Sequence, residues 1–151
     1  MTDWTRFAEG LAEELAMLPD GALVVIKESG KPDNEYRYVQ FRQTADLLEA
    51  QLTGDTYLDA AARPGHAGQR RLIDAGWQYP DSPHNENWWI ELSWPLSTAV
   101  DRHLSDMVVI GLRDCFRIPD PDTLIYDAWN QTKGNRRLHM PLLGLNWEHV
   151  Q

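Results

Sequence analysis

The sequence has little cysteine, no long apolar run and few apolar residues at its beginning. Its single cysteine, Cys115, excludes an intramolecular disulfide framework. Its longest apolar runs, at residues 22–26 and 107–112, are far shorter than the roughly 20 residues that cross a bilayer. Residues 1–10 carry charges where a signal peptide needs an apolar core. We therefore expect a soluble, cytoplasmic protein.

Positive charge is also scarce, because 14 Lys and Arg residues stand against 23 Asp and Glu residues. The formal net charge is −9, and the isoelectric point is about 4.9. Nucleic acids and anionic lipid surfaces carry the same sign, so the field of this protein would repel them. The charge balance therefore argues against a nucleic-acid or membrane partner.

Motifs for cofactors and catalysis are missing as well. The glycines form neither a GxGxxG fingerprint nor a GxxxxGK phosphate loop. The five histidines contain no pair at one-turn helical spacing and have no cysteine pair beside them. His103 and Asp106 are more typical of a solvated helix face, and Cys115 is more typical of a buried thiol. We therefore expect no catalytic residues, no nucleotide, no metal and no other cofactor.

The pattern of apolar residues predicts one domain with helices and strands. Helical spacing or composition occurs at residues 4–18, 65–76 and 97–116. Strand-type residues and alternation occur at residues 22–27, 35–42, 44–53 and 88–94. Residues 124–129 fit either a short helix or a strand. Together these elements predict an α+β fold, in which an N-terminal helix and a long helix in the C-terminal half pack on a single antiparallel β-sheet.

The predicted strands have apolar side chains on both sides. We call the side opposite the core the second face. Strand alternation places on it Leu23, Val25, Tyr36, Tyr38 and Trp89. Large exposed apolar patches usually mark interaction sites. We therefore predict that these five residues bind a partner, with the alternative that the C-terminal residues 138–147 cover them.

Four segments of the sequence are similar to a known family. They are YVQF at 38–41, AGWQYP at 75–80, NWWIELSWPLST at 87–98 and VVIGLRDCFRIPDPDTLIYDAWN at 108–130. Over residues 4–130 the chain resembles the actinobacterial TY-Chap domains of the type III secretion chaperone and YbjN-like superfamily. The resemblance implies a sheet with helices packed on it, and a small acidic chaperone, often dimeric, that holds peptides without ATP. The expected chaperone domain occupies residues 1–130. Residues 131–151 lie outside the similar region and show no clear periodicity, so we expect a mostly irregular C-terminal tail there.

Three functions are compatible with these features. The first is a non-enzymatic, chaperone-like domain that holds a segment of a partner protein on the second face, which needs apolar contact area and an acidic, soluble surface. The second is an immunity- or antitoxin-like inhibitor, since an acidic domain with exposed aromatic residues suits a basic toxin. The third, an enzyme, has no motif in its favour. We expect the first, with a protein or peptide client and a homodimer.

Overall fold

The computed structural model describes residues 3–32 and 35–150. The helices are α1 (Trp4–Ala16), α2 (Gly65–Ala75) and α3 (Thr98–Val109). The strands are β1 (Ala22–Glu28), β2 (Tyr38–Thr44), β3 (Leu47–Leu52), β4 (Trp88–Ser93), β5 (Leu124–Asn130), β6 (Arg136–Arg137) and β7 (Asn146–Trp147). They form one sheet in the order β4-β3-β2-β1-β5-β6, with β7 also paired to β5. Every pairing is antiparallel except the short one between β5 and β7. The predicted α+β class is confirmed.

Local capping residues set the helix ends. Asp3 and Ser97 cap α1 and α3, and each side chain accepts a backbone N–H of the first turn, at 2.8 and 3.2 Å. Gly76, with φ of +120°, ends α2 in a conformation that favours glycine. The long predicted helix is confirmed, although its last turn, Ile110–Cys115, is a wider π-helical turn. No helix in the described part of the chain has both the length and the apolar character needed to cross a bilayer.

The core lies between one side of the sheet and the three helices. Phe7, Leu11 and Leu15 form the buried stripe of α1. On the sheet, the core side chains that face the helices are completely or almost completely buried. They are Val24, Ile26, Val39, Phe41, Leu48, Ala50, Leu52, Trp88 and Ala128. Each fully buried Val, Leu, Ile or Phe side chain in this set stabilises the fold by about 1.5–3 kcal/mol relative to an exposed one. This core holds the sheet rigid and leaves its second face for other contacts.

Residues 124–129, which fitted either a helix or a strand, belong to the interior strand β5. It pairs with β1 along its whole length, from Ala22 opposite Asn130 to Glu28 opposite Leu124. All but one of its seven residues are buried. A strand that is buried on both faces shows little alternation, which explains why the sequence pattern did not distinguish the two structures.

Residues 131–150 wrap around the outer edge of β5. The Leu138 amide donates to the carbonyl of Ala128 at 2.8 Å, and Met140 and Leu143 then enter the core. The contact with α1 is close, because a Cβ on Gly10 would clash with the carbonyl oxygen of Leu142. Apart from β6, β7 and one 3-10 turn, the segment has no regular secondary structure. It nevertheless shares the core of the residues before it.

Candidate functional site

The structure places the five predicted partner-binding residues in two kinds of environment. Leu23 and Val25 on β1 are buried, with 5% and 8% of their surface exposed. Tyr36, Tyr38 and Trp89 are half-buried. The second face therefore has an apolar floor at its centre and aromatic side chains around it.

Longer side chains on the neighbouring strands lie opposite this floor. Leu23 lies opposite Arg42 of β2 and Trp129 of β5, and Val25 lies opposite Gln40. Opposite residues on one face of an antiparallel pair have Cβ atoms about 4.5–5.5 Å apart, so these long side chains lie against the shorter ones. Sequence alternation identified the side of the sheet on which Leu23 and Val25 lie, but not how far their neighbours bury them.

A pocket of about 340 Å³ opens beside the floor. Three tyrosines and four amide side chains line it: Tyr36, Tyr38, Tyr57, Gln40, Gln51, Asn85 and Asn87. The rings of Tyr36 and Tyr38 are 5.9 Å apart, and the Lys27 ammonium lies 4.6 Å from the centre of the Tyr36 ring. The pocket thus combines aromatic surface with groups that both donate and accept hydrogen bonds.

Hydrogen bonds hold the amides of this pocket in place. Asn87 Nδ2 donates to the Tyr38 hydroxyl at 2.9 Å and to Gln51 Oε1 at 3.0 Å, and Asn85 Nδ2 donates to the same Gln51 oxygen at 3.2 Å. Asn87 Oδ1 accepts from the amide of Gly54 at 2.9 Å. Burial raises the pKa of the Tyr38 hydroxyl despite the bond from Asn87. The Tyr38 hydroxyl therefore stays protonated and can donate a hydrogen bond to an incoming acceptor.

Trp89 is covered on one side by a short 3-10 turn, Ser82–His84. The imidazole of His84 stacks on the indole, with ring centres 3.8 Å apart and planes 7° apart. Asp81 caps this turn, since its Oδ1 accepts the His84 amide at 3.0 Å and lies 2.6 Å from His84 Nδ1. One face of the Trp89 ring is therefore covered by His84.

Two glutamates on neighbouring strands face the same histidine. Glu49 of β3 and Glu91 of β4 are directly opposite in register, and their Oε2 atoms lie 3.9 and 2.8 Å from His84 Nε2. Burial opposes protonation of His84, but hydrogen bonds to Glu91 and Asp81, together with the charges of Asp81 and Glu49, outweigh burial and raise its pKa. A protonated His84 thus offsets the repulsion between two like charges that face each other.

Sequence spacing missed this cluster of His84, Glu49 and Glu91. The three residues lie on a turn and two strands, and only the register of β3 on β4 brings Glu49 beside Glu91. No local motif contains them. The sequence does show one acidic residue in each of two predicted strands, Glu49 and Glu91. That they lie opposite each other can be recognised only once the pairing of the strands is known.

The C-terminal segment covers the other end of the second face. Asp127 is 2% exposed, and it accepts hydrogen bonds from Trp147 Nε1 and the Val150 amide, both at 2.9 Å. The guanidinium of Arg137 lies 3.8 Å from the centre of the Trp147 ring. This segment covers the β5 end of the second face, and none of the described residues that line the tyrosine pocket belongs to it.

A second concavity, of about 540 Å³, lies between α1 and α3, away from the second face. Asp101 and Ser105 line it and are buried, and Asp101 Oδ1 and Ser105 Oγ have no hydrogen-bond partner among the described residues. Burial raises the pKa of Asp101 to about 6. The groove thus contains a carboxyl group whose charged form is poorly solvated.

A family model described as T3SS (YopN, CesT) and YbjN peptide-binding chaperone 3, or TY-Chap3, matches residues 1–130. The chain belongs to this family. The TY-Chap3 match confirms the resemblance found in the sequence, and the single sheet with packed helices is consistent with it. No curated protein and no solved structure gives a significant match. TY-Chap3 is described as a family of peptide-binding chaperones.

Proposed function

We propose that this TY-Chap3 protein is a non-enzymatic, chaperone-like domain that holds an extended segment of a partner protein on the second face. The observation that carries the proposal is the open pocket formed by Tyr36, Tyr38 and Tyr57 beside the buried floor of Leu23 and Val25. Aromatic side chains bury a large area on contact, and the tyrosine hydroxyl can remain hydrogen-bonded at the edge of an apolar contact. Partly exposed tyrosines over a rigid sheet are suited to hold the apolar side chains of a client.

The amides of the pocket support an extended client in particular. An extended peptide presents a donor and an acceptor at each residue, and these groups need partners when the peptide leaves water. Gln40 and Asn85 each carry one acceptor oxygen and an NH₂ group, so they can pair with either kind of group. Such pairing does not depend on the sequence of the client. The tyrosines then select for apolar side chains at the positions between.

Two finer features of this function stay predictions: a cytoplasmic location and a homodimer. The homodimer can be tested by measuring the mass of the protein in solution, since one chain has a mass of 17.4 kDa. Light scattering at micromolar concentration should give twice that mass. A mass of one chain throughout that concentration range would contradict the dimer and leave the peptide proposal standing.

Peptide binding at the pocket can be tested by comparing tyrosine-to-alanine variants inside and outside it. A library of random, unstructured peptides first yields binders to the wild-type protein. The double variant Tyr36→Ala/Tyr38→Ala should weaken the selected peptides by at least about 30-fold, which corresponds to the roughly 2 kcal/mol of a hot-spot residue. Tyr79→Ala is the control, because Tyr79 is 65% exposed and lies outside the pocket.

The control variant should bind the selected peptides as the wild-type protein does. Thermal melting of all three proteins separates loss of binding from loss of fold. Unchanged binding by the double variant, or an equal loss with Tyr79→Ala, would show that the pocket is not the peptide site.

A further inference from the structure

The cluster of His84, Glu49 and Glu91 has the composition and geometry of a metal site. His84 Nε2 and one carboxylate oxygen from each glutamate all lie within 4.8 Å of one another. We propose that these three side chains bind a divalent transition-metal ion of the Zn²⁺ type, with water in the remaining coordination position. This site departs from the expectation, drawn from histidine spacing, that the chain binds no metal.

The distances in the cluster are close to those that an ion requires. Zn²⁺ bonds to imidazole nitrogen and carboxylate oxygen at about 2.1 Å, so neighbouring ligand atoms in a tetrahedral site stand about 3.4 Å apart. The distances from His84 Nε2 to Glu91 Oε2 and Glu49 Oε2, 2.8 and 3.9 Å, lie on either side of that value. Small rotations of the two glutamate side chains would therefore complete the site without moving the strands.

The surroundings of His84 hold it in the orientation of a ligand. Its Nδ1 lies 2.6 Å from Asp81 Oδ1, which keeps a proton on Nδ1 and leaves the lone pair of Nε2 facing the glutamates. A carboxylate behind a metal-binding histidine is the usual outer-shell arrangement. The ring is also held against Trp89, and His84 is only 9% exposed.

Glu49 has an outer partner of its own. Gln51 Nε2 donates to Glu49 Oε1 at 2.9 Å, so one carboxylate oxygen is held while the other, Oε2, faces His84. Ligating carboxylates are commonly held by a hydrogen bond of this kind. Two of the three ligands are thus oriented before an ion binds.

The charge of the cluster favours a divalent ion over a single proton. Asp81, Glu49 and Glu91 bring three negative charges to His84. Protonation of the imidazole leaves a charge of −2, whereas a divalent ion on neutral imidazole leaves −1. Arg42 lies opposite Glu49 on β2, but it is exposed to solvent. Water therefore screens its positive charge from the cluster. The imidazole ligand favours transition metals over Mg²⁺ and Ca²⁺, which prefer sites made of oxygen.

Calorimetric titration of the metal-free protein with Zn²⁺ at mildly alkaline pH tests the site. The wild-type protein should bind one equivalent, and His84→Gln and Glu91→Gln should each lose at least tenfold in affinity. Asp81→Asn should lose about 10–100-fold, as expected for an outer-shell partner. His66→Gln is the control, because His66 is exposed and lies outside the cluster.

A spectroscopic readout identifies the atom that binds. Long-range ¹H–¹⁵N spectra with Zn²⁺ should show His84 with its proton on Nδ1 and the metal on Nε2. Glu91 is exposed on β4, so Glu91→Gln should fold even if His84→Gln does not. If the wild-type protein binds no more Zn²⁺ than Glu91→Gln, or if Zn²⁺ perturbs other histidines and not His84, the cluster is only an ion-paired imidazolium and the proposal fails.

Discussion

Replacing Asp101 by Asn should change how the stability of this protein depends on pH. Asp101 lies in the first turn of α3, is 6% exposed and has an Oδ1 atom without a partner among the described residues. Burial raises the pKa of its carboxyl from 3.8 to about 6. Because unfolding returns the carboxyl to water, the unfolded chain releases the proton at a lower pH than the folded protein does.

The magnitude follows from the difference between the two pKa values, since one pKa unit corresponds to about 1.36 kcal/mol. A difference of about two units makes charged Asp101 cost the folded protein about 3 kcal/mol above the folded pKa of about 6. The folded pKa is raised, so this cost decreases as the pH falls and disappears below the unfolded value of 3.8. The amide side chain of the Asp101→Asn variant would carry no charge at any pH. We expect this variant to gain about 2–3 kcal/mol more unfolding free energy at pH 8 than at pH 4, relative to wild type.

Urea unfolding of both proteins at the two pH values measures this effect. Any cost of the amide itself is the same at both pH values, so it cancels from the comparison. Asp106→Asn is the matched control, because Asp106 is on the same helix and is exposed, and its effect should stay within about 0.5 kcal/mol. An equal effect of Asp101→Asn at both pH values, or a larger one in acid, would refute the idea that Asp101 is poorly solvated.

Other contacts lead to measurable outcomes as well. Trp88→Ala should lower the free energy of unfolding by about 3–5 kcal/mol in urea, because the indole is 1% exposed in the core; a loss below about 1 kcal/mol would contradict that packing. Gly10→Ala should make the C-terminal segment easier to cleave in limited proteolysis, because the new Cβ would clash with the Leu142 carbonyl; unchanged cleavage would argue against the close contact. Cys115 should resist alkylation until urea unfolds the protein, because burial raises the pKa of its thiol to about 11. Rapid labelling of the native protein would contradict this burial.

Local patterns were sufficient for the elements that are buried on one side. The stripe of Phe7, Leu11 and Leu15 predicted α1, and alternation predicted β4, because in both cases one face meets the core and the other meets water. β5 lies between β1 and the C-terminal strands and is buried on both faces, so its periodicity did not separate a helix from a strand. The pairing of β5 with β1 depends on contacts between distant parts of the chain.

The candidate sites depended on such distant contacts even more. Alternation correctly placed Leu23 on the second face but did not show its burial, and its neighbours Arg42 and Trp129 come from two other strands. The approach of Glu49 to Glu91 depends on the register of β3 on β4. Spacing along the chain contains neither relation, whereas the family resemblance was found without them.

The proposed function requires that an extended peptide lies over the tyrosine pocket of the second face. Titrating ¹⁵N-labelled protein with one peptide selected from the random library tests it directly by NMR. A peptide in this pocket should cause the largest changes in chemical shift in the side-chain amides of Gln40 and Asn85. Changes confined to the groove between α1 and α3, around Ala12 and Ser105, would contradict it.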